Sequence, residues 1–254
     1  MPASFYAVAF AIVALLQTNG NPAPAFDVAS VKPSPPSTSD HDQHIDHGLF
    51  SAKGTSLRGF LMMAYGISGL QFYRMAGGPT WLGSEMFDID ARSETPASRT
   101  EMMLMLRTLL ADRFQVKLHF ETRDILSDVL VIAKGGPKFG PDFHEMKDGD
   151  SPIDPGKPSL TRMVFPGAPI QTFVDRLRLW MQRDPATGRM SPFQNAPPLL
   201  DDTGLKGRYA IVFNAGSDED WSTTLQRQLG LKLEERKIAT EILVVDSAAR
   251  PSAN

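Results

Sequence analysis

Four stretches of the chain place apolar residues at helical spacing, and the segments between them switch to short β-rich runs. That alternation restricts the fold more than any other feature. The first stripe is Leu57, Phe60, Leu61, Ala64 and Tyr65, with Thr55 or Ser56 placed to cap it and Gly66 to end it. The second is Met102, Met105, Leu106, Leu109 and Leu110, preceded by Ser98 and Glu101 in the spacing of a capping box. The third follows Pro169 and carries Ile170, Phe173, Val174, Leu177 and Trp180. The fourth starts at the acidic run Asp218 to Asp220, carries Trp221, Leu225 and Leu229, and stops at Gly230.

Strand candidates are Phe26–Val31, Phe87–Ala91, Val116–Phe120, Val129–Ala133, Tyr209–Phe213, Leu231–Glu235 and Ile242–Val245. Their order repeats. Pro79-Thr80-Trp81-Leu82 leads to FDIDA, a capped helix, VKLHF, a polar turn and VLVIA; Pro198-Leu199-Leu200 leads to YAIVF, an acid-capped helix, LKLEE, a polar turn and ILVV. The expected fold is α+β, built as two tandem related units, each with two helices packed on a small, mainly antiparallel sheet. The first unit covers 26–134, including an N-terminal strand and a polar loop, and the second covers 165–254. The stretch 135–164, dense in Gly, Pro, Asp and Lys, reads as a linker or long surface loop.

The apolar run Phe5–Leu16 is too short to span a bilayer but suits the core of a signal peptide, and Ala23-Pro24-Ala25 supplies the small residues of a cleavage site. Residues 1–25 carry no Lys or Arg, so the usual basic leader is missing. The expectation is an exported protein, periplasmic or secreted, with a mature start near Phe26 and no stable membrane span after signal removal. Net charge is −3 with both signs interspersed and no basic stripe, which argues against nucleic acid as a partner. The chain has no cysteine, which removes disulfides, thiolate metal ligands and cysteine nucleophiles together.

No catalytic template assembles. His41, His44 and His47, with Asp40, Asp42 and Asp46, come nearest to a metal site. They follow a proline-rich loop without periodicity, so a solvated loop is expected and no metal is predicted. Asp202-Thr203-Gly204 spells the aspartic-protease triplet in single copy, but Asp201 to Gly207 reads better as a turn feeding the YAIVF strand. Ser56 in Gly54-Thr55-Ser56-Leu57-Arg58-Gly59 has the wrong glycine spacing for a nucleophile elbow. Trp81, after the turn Gly77-Gly78-Pro79-Thr80, either packs under the sheet or lines a binding surface. The candidate binding residues are therefore Trp81, Gly77 and Gly78 with Asp201, Gly204 and Tyr209. No cofactor is implied.

The stretches FDVASVKPS from Phe26, GGPTWL from Gly77, LLADRFQVKLHFETR from Leu109, LVIAKGGPKF from Leu130, DDTGLKGRY from Asp201 and LQRQLGLKL through ILVVD together resemble a soil-associated family of uncharacterised exported proteins, expanded in acidobacteria, that carries a domain of unknown function. Two positions depart from the family pattern: Asp202 stands where a basic residue is common, and Asp128 where an aromatic is common. Related domains also occur fused behind membrane metallopeptidases of the beta-lactam-sensor type. The resemblance implies an extracytoplasmic sensing or interaction role. The leading expectation is thus a non-enzymatic binding or protein-interaction module, its partner an envelope protein or a small extracytoplasmic ligand. The alternatives are an extracytoplasmic hydrolase in which Asp88, Asp90 and Asp201 converge, and a structural envelope protein.

Overall fold

The structure is a computed structural model that describes residues 23–35, 42–154, 156, 162–181, 198–214 and 220–251. It is a mixed α+β fold. Among the described residues the chain runs β1 (Val28–Pro33), β2 (Gln43–Asp46), β3 (Leu49–Ser56), α1 (Leu57–Ala64), β4 (Met75–Gly77), β5 (Met86–Arg92), α2 (Arg99–Phe114), β6 (Lys117–Ile132), β7 (Phe143–Glu145), β8 (Arg162–Pro169), α3 (Ile170–Met181), β9 (Leu199–Asp201), β10 (Arg208–Asn214), α4 (Trp221–Leu229) and β11 (Leu231–Ser247). A short 3-10 segment, Gly69–Arg74, follows α1, and another, Thr80–Gly83, precedes β5.

The helix ends follow local chemistry. Ser56 caps α1 by accepting from the Gly59 N–H. Ser98 and Glu101 form the reciprocal capping box of α2. The Asp220 side chain accepts from the Thr223 N–H to start α4, and Gly230, at φ 69°, ends it in the left-handed region. Gln115 ends α2 at φ 51° without a glycine.

The strands form three sheets, ordered β1-β5-β3-β2, β7-β10-β8 and β4-β11-β6-β9. The first two are antiparallel throughout. In the third, β6 and β11 run antiparallel over nearly their whole length, while β4 and β9 add in parallel at its two edges.

This third sheet corrects the expectation of two hairpins. VKLHF and VLVIA were expected to flank a polar turn, as were LKLEE and ILVV. Instead each pair belongs to one unbroken strand, and the two strands pair with each other. The intervening Glu121–Ser127 and Arg236–Glu241 stretches hold no Gly, Pro or Asn to set a tight turn. Apart from the buried Ser127, they are polar because they form a ribbon exposed to solvent, Thr122 opposite Glu241 and Asp124 opposite Ala239. Within 135–164, expected as a loop, Phe143–Glu145 forms β7 against Tyr209–Ile211.

Two apolar clusters form the core. The first gathers Phe50, Phe60, Leu61, Trp81, Phe87, Leu106 and Phe114; the second gathers Phe143, Phe165, Phe173, Leu177, Phe213, Leu225 and Leu231. The largest fully buried side chains divide evenly, with Phe50, Phe60 and Phe114 in one and Phe143, Phe173 and Phe213 in the other. Each fully buried Phe contributes roughly 1.5–3 kcal/mol, so neither half is a minor appendage. Each core is also closed by a strand that arrives from the other half of the chain. Leu243 and Val245 of β11 lie in the first cluster, and Leu130 of β6 lies in the second.

One difference between the halves positions the site described next. β3 lies between β5 and β2, so both its edges are paired. β8 pairs with β10 alone, and among the described residues its other edge carries no strand.

Candidate binding surfaces

The Gly77-Gly78-Pro79-Thr80-Trp81 turn sits at the edge of the ribbon. Gly77 and Gly78 have φ of 73° and 83°, and a β-carbon on Gly77 would stand 2.6 Å from the Val245 carbonyl oxygen. The glycine pair is what lets β4 lie against β11. Trp81 is only 9% exposed and meets Phe87 edge-on, with ring centroids 6.2 Å apart. The Arg250 guanidinium covers its outer face at 5.2 Å and pairs in a fork with the Glu85 carboxylate, at 2.6 and 2.9 Å. That hydrogen bond holds the Glu85 carboxyl below its ordinary pKa. Of the two readings left open for this indole, packing under the sheet describes its position.

The second motif closes by hydrogen bonds. Asp201 accepts from the Thr203 N–H at 3.0 Å and from the Thr203 hydroxyl at 2.7 Å, and that hydroxyl accepts from the Leu205 N–H. Gly204 follows at φ 68°, with open space where a β-carbon would be. Tyr209 is 3% exposed, packs against Phe139 and Phe143, and donates its hydroxyl to the Lys206 carbonyl at 3.0 Å. Burial raises the Tyr209 pKa, with Glu145 adding to the effect. Asp202 points the other way and pairs with Arg236 of the ribbon at 2.6 Å.

These six residues fall into two groups that do not meet. β4 lies against Leu243–Val245, and β9 lies against Asp128–Leu130, which face Leu233–Glu235. About ten residues of β11 separate the two groups, or about 30 Å at strand rise. The carboxylates named for a hydrolase are equally divided. Asp88 accepts from Ser34 and the Gly54 N–H, and Asp90 from Ser51, all in the first sheet, whereas Asp201 is in the third. His44 and His47 are exposed on and beside β2, His47 against Asp46, while His41 lies outside the described residues. Among the described residues no cluster of three or more His, Asp or Glu side chains is arranged to hold a metal ion.

The halves also touch through Arg178 of α3, which is 6% exposed. Its Nη1 donates to the Leu70 carbonyl and its guanidinium lies 5.2 Å from the Tyr73 ring centroid, while among the described residues Nε has no partner. Burial lowers its pKa, opposed by Tyr73 and Asp175.

Depressions also open on the described surface. One, of about 400 Å³, lies beside the start of α2 between His47 and Met102. A second, of about 360 Å³, lies between the ends of α1 and α2 around Tyr65, Met103 and Arg107. A third, of about 360 Å³, runs between β8 and α3, lined by Val164, Pro166, Ala168, Arg176, Leu179 and Trp180 among others. The sequence reading missed this last groove because it followed only the buried stripe of α3. Thr172, Arg176 and Leu179 form a second stripe at i, i+4 and i+7, and Pro166 beside Gly167 is the mark of an edge strand.

The described residues thus define a mixed α+β protein with two apolar cores joined by a long β-ribbon, and with grooves rather than a converged catalytic cluster. The chain belongs to the family described as "Protein of unknown function (DUF3738)", which matches residues 58–248, from α1 to the end of the ribbon. No curated protein and no solved structure matches the chain. Among the described residues no helix is long and apolar enough to cross a membrane.

Proposed function

We propose that this protein is an exported, non-enzymatic binding or protein-interaction module, made of two related units. The observation that carries the reading is the groove beside β8. It is an apolar surface next to a strand edge that carries no strand among the described residues, and in the other half of the molecule the corresponding edge is taken by a strand. The sense of relatedness comes from order: β3-α1-β4-β5-α2-β6 and β8-α3-β9-β10-α4-β11 follow the same sequence of elements, with the same partners within each sheet. Export is supported by the apolar run Phe5–Leu16 and by Phe26, which packs against Phe50 at 6.1 Å and lies at the expected mature N-terminus.

Thermal unfolding of the purified chain against peptides, oligosaccharides and peptidoglycan fragments tests the reading. A ligand bound only by the folded state at a hundredfold excess over its Kd adds about 2.7 kcal/mol of stability, and the expected result is a raised midpoint with the ligand recovered chemically intact. Turnover of any of these compounds that Asp88→Asn or Asp201→Asn abolishes would replace the module with a hydrolase.

A further inference from the structure

The groove between β8 and α3 identifies a class of partner. Val212 of β10 donates its N–H to Asp142 on the far side of β10. Backbone groups of alternate residues in an antiparallel ladder face opposite sides, so Val164, opposite Val212, turns its own N–H and C=O outward to the open edge. Pro166, opposite Ala210, likewise turns its carbonyl outward and offers no N–H. The edge therefore presents a short bonding stretch that Pro166 cuts off. Across the groove stand Thr172, Arg176, Leu179 and Trp180 of α3. Arg176 is exposed, is the charged residue of the lining, and has no hydrogen-bond or ion-pair partner among the described residues.

The other half of the molecule contains a template for the occupant. On β3, whose chain also turns directly into a helix, β2 adds antiparallel over four residues, with Ile45 packed against the first core and its neighbours exposed. We propose that the β8–α3 groove accepts a short extended segment of a partner protein, which adds as a strand to β8, seats an apolar residue on the α3 side and places a carboxylate against Arg176. A second copy of this chain is a poorer occupant. Two β8 edges brought together would oppose their prolines, and each would bring its own Arg176 cation to the seam. The inference rests on the reading of the protein as an interaction module and names the partner of that surface.

The test selects binders from a displayed library of unstructured heptapeptides with the full chain as bait, then measures each synthetic peptide's Kd. The expected winners carry an apolar residue with an Asp or Glu nearby. Arg176→Glu, on an exposed side chain, weakens them about tenfold or more and shifts selection toward basic peptides. Val164→Pro removes the outward N–H without touching the bonds to β10 and abolishes binding while the unfolding midpoint holds. Absence of any selected peptide, or peptides that bind both variants as tightly as the native chain, overturns the inference. A concentration-dependent dimer that Val164→Pro dissociates also overturns it, in favour of a second copy. In each of these cases a midpoint shift with some other ligand would leave the module reading standing.

Discussion

Between β4 and β5 the chain turns around an indole, and between β9 and β10 it turns around a carboxylate. Trp81 is locked from inside by Phe87 and from outside by the Arg250–Glu85 pair. At the second turn, Asp201 holds Thr203 by two hydrogen bonds, and Thr203 holds Leu205. Both turns follow a short strand laid in parallel on the ribbon, and both lead into the strand that crosses the middle of a sheet. The same path can therefore be fixed by burial at one end and by local polar bonds at the other. The first turn depends on contacts far away in sequence, the second on residues within five positions of each other.

The largest effects should come from the strands that each half lends to the other. Leu243 is 1% exposed in the first core and Leu130 fully buried in the second. Leu243→Ala and Leu130→Ala should each cost about 2–5 kcal/mol by loss of burial and a residual cavity. Hydrogen exchange separates them: Leu243→Ala should deprotect α2 first, although it lies in the last strand, and Leu130→Ala should deprotect α4 first. Equal loss in both helices for both variants would mean that the two cores unfold as one.

The two turns can be compared directly by adding one methyl group to each. Gly77→Ala puts a β-carbon into the Val245 backbone oxygen at positive φ, and should cost about 3 kcal/mol or more. Gly204→Ala meets nothing within 4 Å and should cost only the conformational term, about 1 kcal/mol. Denaturant midpoints of the two variants check the ratio. A Gly204→Ala penalty equal to that of Gly77→Ala would show that the second turn is also held by tight packing.

The same contrast explains what could be read from the amino-acid sequence. Signals carried within one turn of chain were legible: the Ser98–Glu101 capping box, the Asp220 cap and the left-handed Gly230 all stand where the spacing put them. Segments whose state depends on a distant partner were not. Glu121–Ser127 is polar enough to suggest a turn, and only pairing with Arg236–Ile242 makes it strand. β8 gave no period-two signal, because Pro166 and Gly167 break the run at a sheet edge. The candidate residues Trp81, Gly77, Gly78, Asp201, Gly204 and Tyr209 were marked by unusual composition, and the structure gives each a part in closing a turn or filling a core. The β8–α3 groove left no such mark. It is made of ordinary residues on two elements, and neither carries the surface alone.

The smallest effects belong to the two ends of the ribbon, where the charges carry opposite signs of pH dependence. Near one end the His119 Nδ1–H donates at 2.9 Å to the Asp246 carboxylate, which raises the imidazole pKa, with Glu121 nearby. Stability from that pair is fully present below the unfolded histidine pKa and is lost as pH rises through the folded value. Toward the other end Asp128 faces Glu235 across the ladder; burial first, and then the Glu235 charge, raises the Asp128 pKa. The folded state therefore holds its proton more tightly than the unfolded chain, and stability falls as pH rises from the ordinary aspartate range through the raised value. Asp128→Asn keeps the shape and removes the repulsion. It should stabilise the protein at neutral pH by about 0.2–1 kcal/mol, the range of a cross-strand charge pair, and by nothing once pH drops below the unfolded aspartate pKa. Asp246→Asn should act in the opposite sense, lowering the His119 titration midpoint seen by NMR. An Asp128→Asn gain that persists unchanged into acid would mean that shape or hydrogen bonding at β9, and not charge, is what the substitution relieves.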